Sequence, residues 1–209
     1  MASQTEPLLD YIKEKRDKAK WEKATSDLIY FIEHYVPKHL FDLTQAAPQQ
    51  IELLRAVMNG ERYFVIKAPR KGGKTICVAI IAVWLVLRDQ TFRVFILSGS
   101  QNQAEWLYDY CSQLLQPDNP VTADFFAQFI TDGSNGIGKT RVKFKLGGYI
   151  MYTSASSKQV NAPTADCLIM DEFVLIPTNI VEEAWPVIGG SEHTMRFLLS
   201  TATAGKEHT

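Results

Sequence analysis

An α/β fold built on a mainly parallel sheet, flanked by helices, follows from three observations. Apolar strand-like runs (Tyr63 to Lys67, Thr91 to Leu97, Cys167 to Met170, Arg196 to Ser200) alternate with helix-patterned segments, the signature of parallel strands joined by crossovers. The segment Ala68-Pro69-Arg70-Lys71-Gly72-Gly73-Lys74-Thr75 sits between the first of these strands and a long apolar helix, Ile76 to Leu87. A later strand closes on two adjacent carboxylates, Asp171 and Glu172. In such sheets ligands bind at the carboxyl ends of the strands, where the 68–75 loop, Asp171-Glu172 and Ser200 to Thr203 all fall.

Taken in order, the first residues to about Lys23 are charged and poor in apolar groups. Lys13, Lys15, Arg16, Lys18, Lys20 and Lys23 face Glu14, Asp17 and Glu22, which predicts a solvated helix laced with i,i+4 pairs. Leu28, Ile29, Phe31, Ile32 and Tyr35 predict an amphipathic helix that ends before Pro37. Pro48 suits the first turn of the next helix, whose buried face is Ile51, Leu53, Leu54 and Val57 and which Asn59-Gly60 stops. After the strand at 91–97, Ser98 to Ala104 makes a turn and starts a helix to about Leu115. Arg141 to Leu146 and Tyr149 to Ser154, joined by Gly147-Gly148, predict an added β-hairpin. Residues 154–164 are small and polar, hence a loop. We divide the chain into a helical N-terminal segment, 1–40, and an α/β domain, 41–209.

With 209 residues and 46% hydrophobic content, the chain can bury a sizeable core. A net charge of −1 gives no global attraction to nucleic acid, so any such contact is expected from local patches. Cys77, Cys111 and Cys167 are widely spaced in apolar surroundings, which predicts buried thiols in a reducing cytoplasm rather than a disulfide framework. His34, His39, His193 and His208 lack ligand spacing. The longest apolar run, Ile76 to Leu87, is too short to span a bilayer and no signal peptide is apparent, so a soluble protein is expected.

The strand–loop–helix context of Ala68 to Thr75 is that of a phosphate-binding loop. Backbone N–H groups at a helix start converge on a phosphate, a lysine reaches the terminal phosphates, and a threonine hydroxyl ligates Mg²⁺. Gly72, Gly73, Lys74 and Thr75 supply those parts, although Ala68 stands where the consensus has glycine. The consensus is met in full elsewhere, by Gly133-Ser134-Asn135-Gly136-Ile137-Gly138-Lys139-Thr140. There the order is reversed. Phe125, Phe126, Phe129 and Ile130 precede it at helical spacing, and Val142, Phe144 and Leu146 follow it with period two. No helix start faces a phosphate, so 133–139 is read as a mobile glycine-rich connection.

Four apolar residues ending in Asp171-Glu172 form a second nucleotide signature. The first carboxylate helps hold Mg²⁺, and the second orients and deprotonates the attacking water in a reaction that is mostly positioning and charge stabilisation. Arg70 can reach a γ-phosphate and neutralise developing charge, or it is a solvated surface cation. Gln50, or Gln49 beside it, could read an adenine edge, since one amide offers both a donor and an acceptor; either could equally be an ordinary helix-start residue.

Together, Pro48-x-Gln50, the arginine-bearing loop, the S-G-S-Q-N-Q-A turn after the second strand, C-L-I-M-D-E-F and L-L-S-T-A-T-A resemble the ATPase domain of a tailed-phage terminase large subunit, over about residues 41 to 205. The resemblance implies an ASCE-type, RecA-like P-loop fold that hydrolyses MgATP to drive double-stranded DNA through a portal protein into a procapsid. It further implies a small terminase subunit as partner, a homo-oligomer on the portal, no membrane, and action in the cytoplasm of an infected host. Position by position, Gln50 matches the adenine-binding glutamine, residues Ala68 to Thr75 (Ala68, Pro69, Arg70, Lys71, Gly72, Gly73, Lys74, Thr75) the phosphate loop, and Arg70 its arginine. Lys74 and Thr75 match the phosphate and Mg²⁺ residues, Asp171 and Glu172 the metal carboxylate and catalytic glutamate, and Thr201-Ala202-Thr203 the motif coupling hydrolysis to movement. Two features depart from the pattern: Val160-Asn161-Ala162 stands where an Arg-Gly pair is expected, and a nuclease domain is absent from this sequence. Two other readings compete. One is the first motor domain of a superfamily-two helicase or remodelling ATPase, which shares the glutamine, the Asp-Glu pair and a Ser-Ala-Thr coupling motif. The other is a non-hydrolysing, nucleotide-gated interaction module.

Overall fold

The computed structural model describes residues 17–131, 136–155, 164–188 and 194–201. Strands β1 (Tyr63–Ala68), β2 (Arg93–Ser98), β3 (Arg141–Lys143), β4 (Tyr149–Ser154), β5 (Cys167–Asp171) and β6 (Met195–Thr201) form one sheet in the order β1-β6-β5-β2-β4-β3. Every neighbouring pair is parallel except β3 with β4. The hairpin of β3 and β4 is therefore not an appendage: β4 also pairs with β2, from Arg93 opposite Tyr149 to Ser98 opposite Ser154. Its residues Tyr149, Ile150, Tyr152 and Ser154 are buried accordingly.

Helices α1 (residues 17–26), α2 (Leu28–Tyr35), α3 (Pro48–Met58), α4 (Lys74–Arg88) and α5 (Gln101–Leu115) contribute to one core with one face of the sheet, joined there by α6 (Pro120–Ala127). The opposite face packs against α7 (Thr178–Ala184) and its flanking turns through Phe95, Leu97, Leu168, Met170 and Ile176. Helix α4 is buried at every position from Ile76 to Leu87, as expected of a helix that is apolar all round. Each large aliphatic side chain so buried contributes about 1.5–3 kcal/mol.

In the described part of the N-terminal helix Asp17, Lys18, Lys20, Glu22 and Lys23 are exposed, as expected of a solvated helix, but one edge of it is anchored to the core. Trp21 stacks on Phe129 at 5.4 Å and meets Phe125 edge-on at 4.8 Å, and Ala24 is fully buried, its carbonyl accepting a hydrogen bond from the Trp84 indole at 2.9 Å. Two apolar residues on one helical face are enough to seat it. Lys13, Lys15 and Arg16 lie outside the described residues. No described helix is long and apolar enough to cross a membrane.

Candidate active site

Strand β1 carries the chain to the carboxyl edge of the sheet, where Pro69 to Gly73 turns it into α4. The Gly72 N–H closes the turn on the Pro69 carbonyl at 3.0 Å, and Lys71 and Gly73 take the left-handed conformation, with φ of 63° and 73°. Such alternation bends successive N–H groups into an anion-binding concavity. Helix α4 has no side-chain N-cap, so its first-turn N–H groups face the loop without a capping partner. Behind the loop, Gln50 joins it to α3: its carbonyl oxygen accepts from the Ala47 N–H at 2.8 Å and its amide donates to the Gly72 carbonyl at 3.1 Å. Gln49 is exposed and makes no such link. Arg70 and Lys71 are exposed at the lip of the loop, and Thr75 lies on its inner side.

Strand β6 lies between β1 and β5, so the loop and the acidic pair follow strands that are not neighbours. Thr201 fills the gap. The Lys74 ammonium donates to Glu172 Oε1 and to the Thr201 hydroxyl, both at 2.8 Å. The Thr201 N–H donates to Glu172 Oε2 at 2.9 Å and its hydroxyl donates to Oε1. Glu172 itself holds a left-handed backbone, φ 48° and ψ 50°, which costs a non-glycine residue about 1–3 kcal/mol. Burial pushes its carboxyl up, but the bonds from Lys74 and Thr201 together outweigh burial and hold it below the ordinary glutamate range. Asp171 is more deeply buried, and desolvation pushes its carboxyl up despite the Lys74 charge and the Glu172 N–H bonded to Oδ1 at 3.0 Å. Identical groups in adjacent positions are thus driven apart by environment, one kept ionised by a cation and the other held back by burial.

The loop, Asp171, Glu172 and Thr201 line one cleft of about 1250 Å³ with Ser100, Gln103, Trp106 and Tyr110 of the β2–α5 region and Val174 and Leu175 after the acidic pair. These last residues were missed. The signal for Ser100 and Gln103 was their place just past a parallel strand; Ser98 pairs with Asp171 in register, and the Ser100 hydroxyl donates to Gln103 Oε1 at 2.9 Å. Trp106, Val174 and Leu175 are exposed, and no pattern marked them. A hard cation fits the donor set, since a threonine hydroxyl and a single buried carboxylate beside a phosphate loop are what Mg²⁺ takes from protein. Among the described residues no group of three or more His, Cys, Asp or Glu is gathered to hold a metal alone. Ala202, Thr203 and Val160 to Ala162 lie outside the described residues.

The 133–140 segment is placed otherwise. Its described part is bound into the approach to β3: Ile137 bridges Val142, the Gly138 N–H donates to the Arg141 carbonyl at 2.9 Å, and the Lys143 N–H donates to the Gly136 carbonyl at 2.9 Å. The Tyr108 hydroxyl donates to the Gly138 carbonyl at 2.6 Å, and Lys139 and Thr140 are exposed, far in sequence from any helix start. Cys77, Cys111 and Cys167 are free and buried, and burial raises their thiols well out of the reactive range.

The sheet order and the loop at its edge define a P-loop NTPase domain of the RecA-like kind. By sequence, the chain belongs to the family described as RNA cytidine acetyltransferase NAT10/TcmA, helicase domain, whose model matches residues 65–209. No curated protein matches the sequence. In fold it is similar to the large terminase of bacteriophage HK97 (TM-score 0.67, 17% identity, 84% of this chain and 37% of that one). It is also similar to the ATPase domain of the Thermus phage P74-26 large terminase (0.51, 18%, 68% and 60%) and to the large terminase of thermophilic bacteriophage D6E (0.52, 13%, 74% and 38%). The chain thus spans less than two thirds of each of these proteins. The likeness to these solved structures is one of fold.

Proposed function

We propose that this chain is the ATP-hydrolysing domain of a viral DNA-packaging motor. The observation that carries the reading is the junction of Lys74, Thr201 and Glu172 at the ends of three strands, beside a buried aspartate and an uncapped helix start. A phosphate-binding cation and a carboxylate placed for water activation in one cleft are the minimum for phosphoryl transfer to water. In this reading Lys74 exchanges its present partners for the β- and γ-phosphates, and the first-turn N–H groups of α4 cradle them. Thr75 and Asp171 would hold Mg²⁺, which would neutralise charge on the phosphate oxygens. Glu172 takes the proton of the attacking water as its oxygen bonds to the γ-phosphorus and the bond to the bridging oxygen breaks, leaving ADP and phosphate. Arg70, exposed at the lip, meets charge on the γ-phosphoryl group in this reading. Gln50 uses one donor and one acceptor within the protein and retains one of each for an adenine edge.

The proposed output is translocation of double-stranded DNA through a portal into a procapsid in the host cytoplasm, by a homo-oligomer working with a small terminase subunit. Membership of a helicase-domain family favours a second reading, a motor acting on other nucleic acid with the same chemistry. Turnover of MgATP by the purified chain should fall by about 10²–10⁴ in Glu172→Gln, the usual contribution of a general base. Stimulation by duplex DNA with procapsids supports the packaging motor. Stimulation by single strands or RNA alone supports the second reading, and turnover untouched by Glu172→Gln contradicts both.

A further inference from the structure

We propose that the hairpin around β3 is a docking surface for the phosphate backbone of duplex DNA, with Lys139, Arg141 and Lys143 as its contacts; this gives the proposed motor a place to hold its partner and rests on that reading. Between residues 133 and 165 the sequence has no Asp or Glu and five cations, Lys139, Arg141, Lys143, Lys145 and Lys158, in a chain whose net charge is −1. The rest of the chain therefore carries an excess of acid. Strand alternation then sorts the positive charge by face. Val142 and Phe144 are buried in the core on the helix side, so Arg141 and Lys143 stand on the other side of the strand, opposite Met151 and Tyr149, with Cα atoms about 6.6 Å apart. Lys139 and Thr140 form the tip of the turn that the Gly138 N–H closes on the Arg141 carbonyl at 2.9 Å, and both are exposed.

Lys139, Arg141 and Lys143 form no ion pair with a described residue, so no described carboxylate neutralises them. A duplex carries one negative charge per about 1.7 Å of its axis, and each cation that meets it releases condensed counterions. Surfaces that bind single strands add aromatic platforms on which the bases stack. Here Phe144, Tyr149 and Tyr152 are buried, and the exposed part of the hairpin offers cations and the Thr140 hydroxyl but no ring. Charge without stacking suits a paired backbone, and contacts of this kind position a duplex without reading its sequence. One helix joins this surface to the nucleotide cleft: the Tyr108 hydroxyl of α5 donates to the Gly138 carbonyl at 2.6 Å, and Gln103, Trp106 and Tyr110 of the same helix line the cleft.

Fluorescence anisotropy of a short labelled duplex, titrated with the full chain at a series of salt concentrations and without nucleotide, tests the surface. Lys139→Ala, Arg141→Ala and Lys143→Ala combined should weaken binding about 10²-fold at about 0.1 M salt and flatten the slope of log K against log salt by about 2.7, the counterion release of three phosphate contacts. Lys139→Ala with Arg141→Ala, which leaves the half-buried Lys143 in place, should flatten it by about 1.8. Lys18→Ala, Lys20→Ala and Lys23→Ala combined remove as many exposed cations from α1 and should leave the slope at the wild-type value. Turnover of MgATP without DNA should be unchanged in all three variants, which shows that the fold is intact. A wild-type chain that does not bind the duplex at low salt, equal losses from the hairpin and α1 variants, or tighter binding of a single strand that the hairpin variants abolish would each overturn the proposal. Turnover that duplex DNA still stimulates in the hairpin variants rejects this surface and leaves the motor reading standing. Turnover indifferent to Glu172→Gln contradicts the hydrolytic reading, while the salt slopes judge the surface separately.

Discussion

Two segments of this chain end in glycine, lysine and threonine, and only one is built as a phosphate loop. Residues 133–140 satisfy the consensus in full, yet their described glycines are tied into the approach to β3 and Lys139 is exposed. Residues 68–75 miss the first glycine, yet they join β1 to α4, and the Lys74 side chain is only 9% exposed against Glu172. The fixed residues of the pattern matter because of the backbone that presents them: a parallel strand arriving, a left-handed glycine, and a helix start whose N–H groups are open. Ala68 is tolerated because it ends β1 before the turn begins.

Arg70 and Lys71 sharpen the comparison within the genuine loop. Both are exposed, cationic and adjacent. If Arg70 meets charge that develops only in the transition state, Arg70→Ala should lower kcat by about 10³-fold with nucleotide affinity nearly unchanged, and Lys71→Ala should alter neither. Turnover in the presence of procapsids and DNA, alongside affinity for a fluorescent analogue, separates the two. Equal mild losses would leave Arg70 a surface charge and shift the balance toward the helicase reading.

Glycine replacements set the two segments against each other more directly. Gly73 has φ of 73°, and a Cβ there would collide with the Gln50 amide. Gly73→Ala should therefore cost about 1–2 kcal/mol in the loop and break the link to α3, with nucleotide affinity reduced in proportion. At Gly138 an added Cβ would stand 3.2 Å from the Arg141 carbonyl, a fit that needs only a small adjustment, so Gly138→Ala should leave affinity unchanged. Isothermal titration of both variants with an ATP analogue tests the pair.

A smaller effect is expected in stability. Burial raises the Asp171 carboxyl above its unfolded value. The folded state then holds its proton more tightly than the unfolded state, and stability is lost as pH rises through the folded pKa. At neutral pH the ionised group is a net cost, so Asp171→Asn should melt higher than wild type in the absence of nucleotide and Mg²⁺ while losing turnover. That advantage should fade below about pH 3.9, where the unfolded aspartate is itself protonated. Melting curves from about pH 3 to about pH 8, roughly one unit below that value to four units above it, check the sign.

Much of the fold was legible because its signals are local. The apolar run before Ala68, the loop, the uninterrupted helix from Ile76 and the carboxylates after Met170 are each written in contiguous residues. Pairing order is not local, so the sequence could not reveal that β6 separates β1 from β5 or that β4 enters the parallel sheet. The contact of Thr201 with Glu172 depends on that order and was hidden with it; its place at a strand end and its match to a coupling motif marked the residue but not its partner. Trp21 shows a different limit, since a single tryptophan in a charged helix carries no periodicity, yet a cluster with Phe125 and Phe129 anchors that helix to the core.

The measurement that bears most directly on the choice of loop is nucleotide binding and MgATP turnover of Lys74→Ala beside Lys139→Ala. Lys74→Ala should lose tight binding and all turnover if, as proposed, the lysine that opens α4 after β1 is the one that meets the nucleotide phosphates. Lys139→Ala should keep both close to wild type. An inactive Lys139→Ala with an active Lys74→Ala would contradict the account at its root.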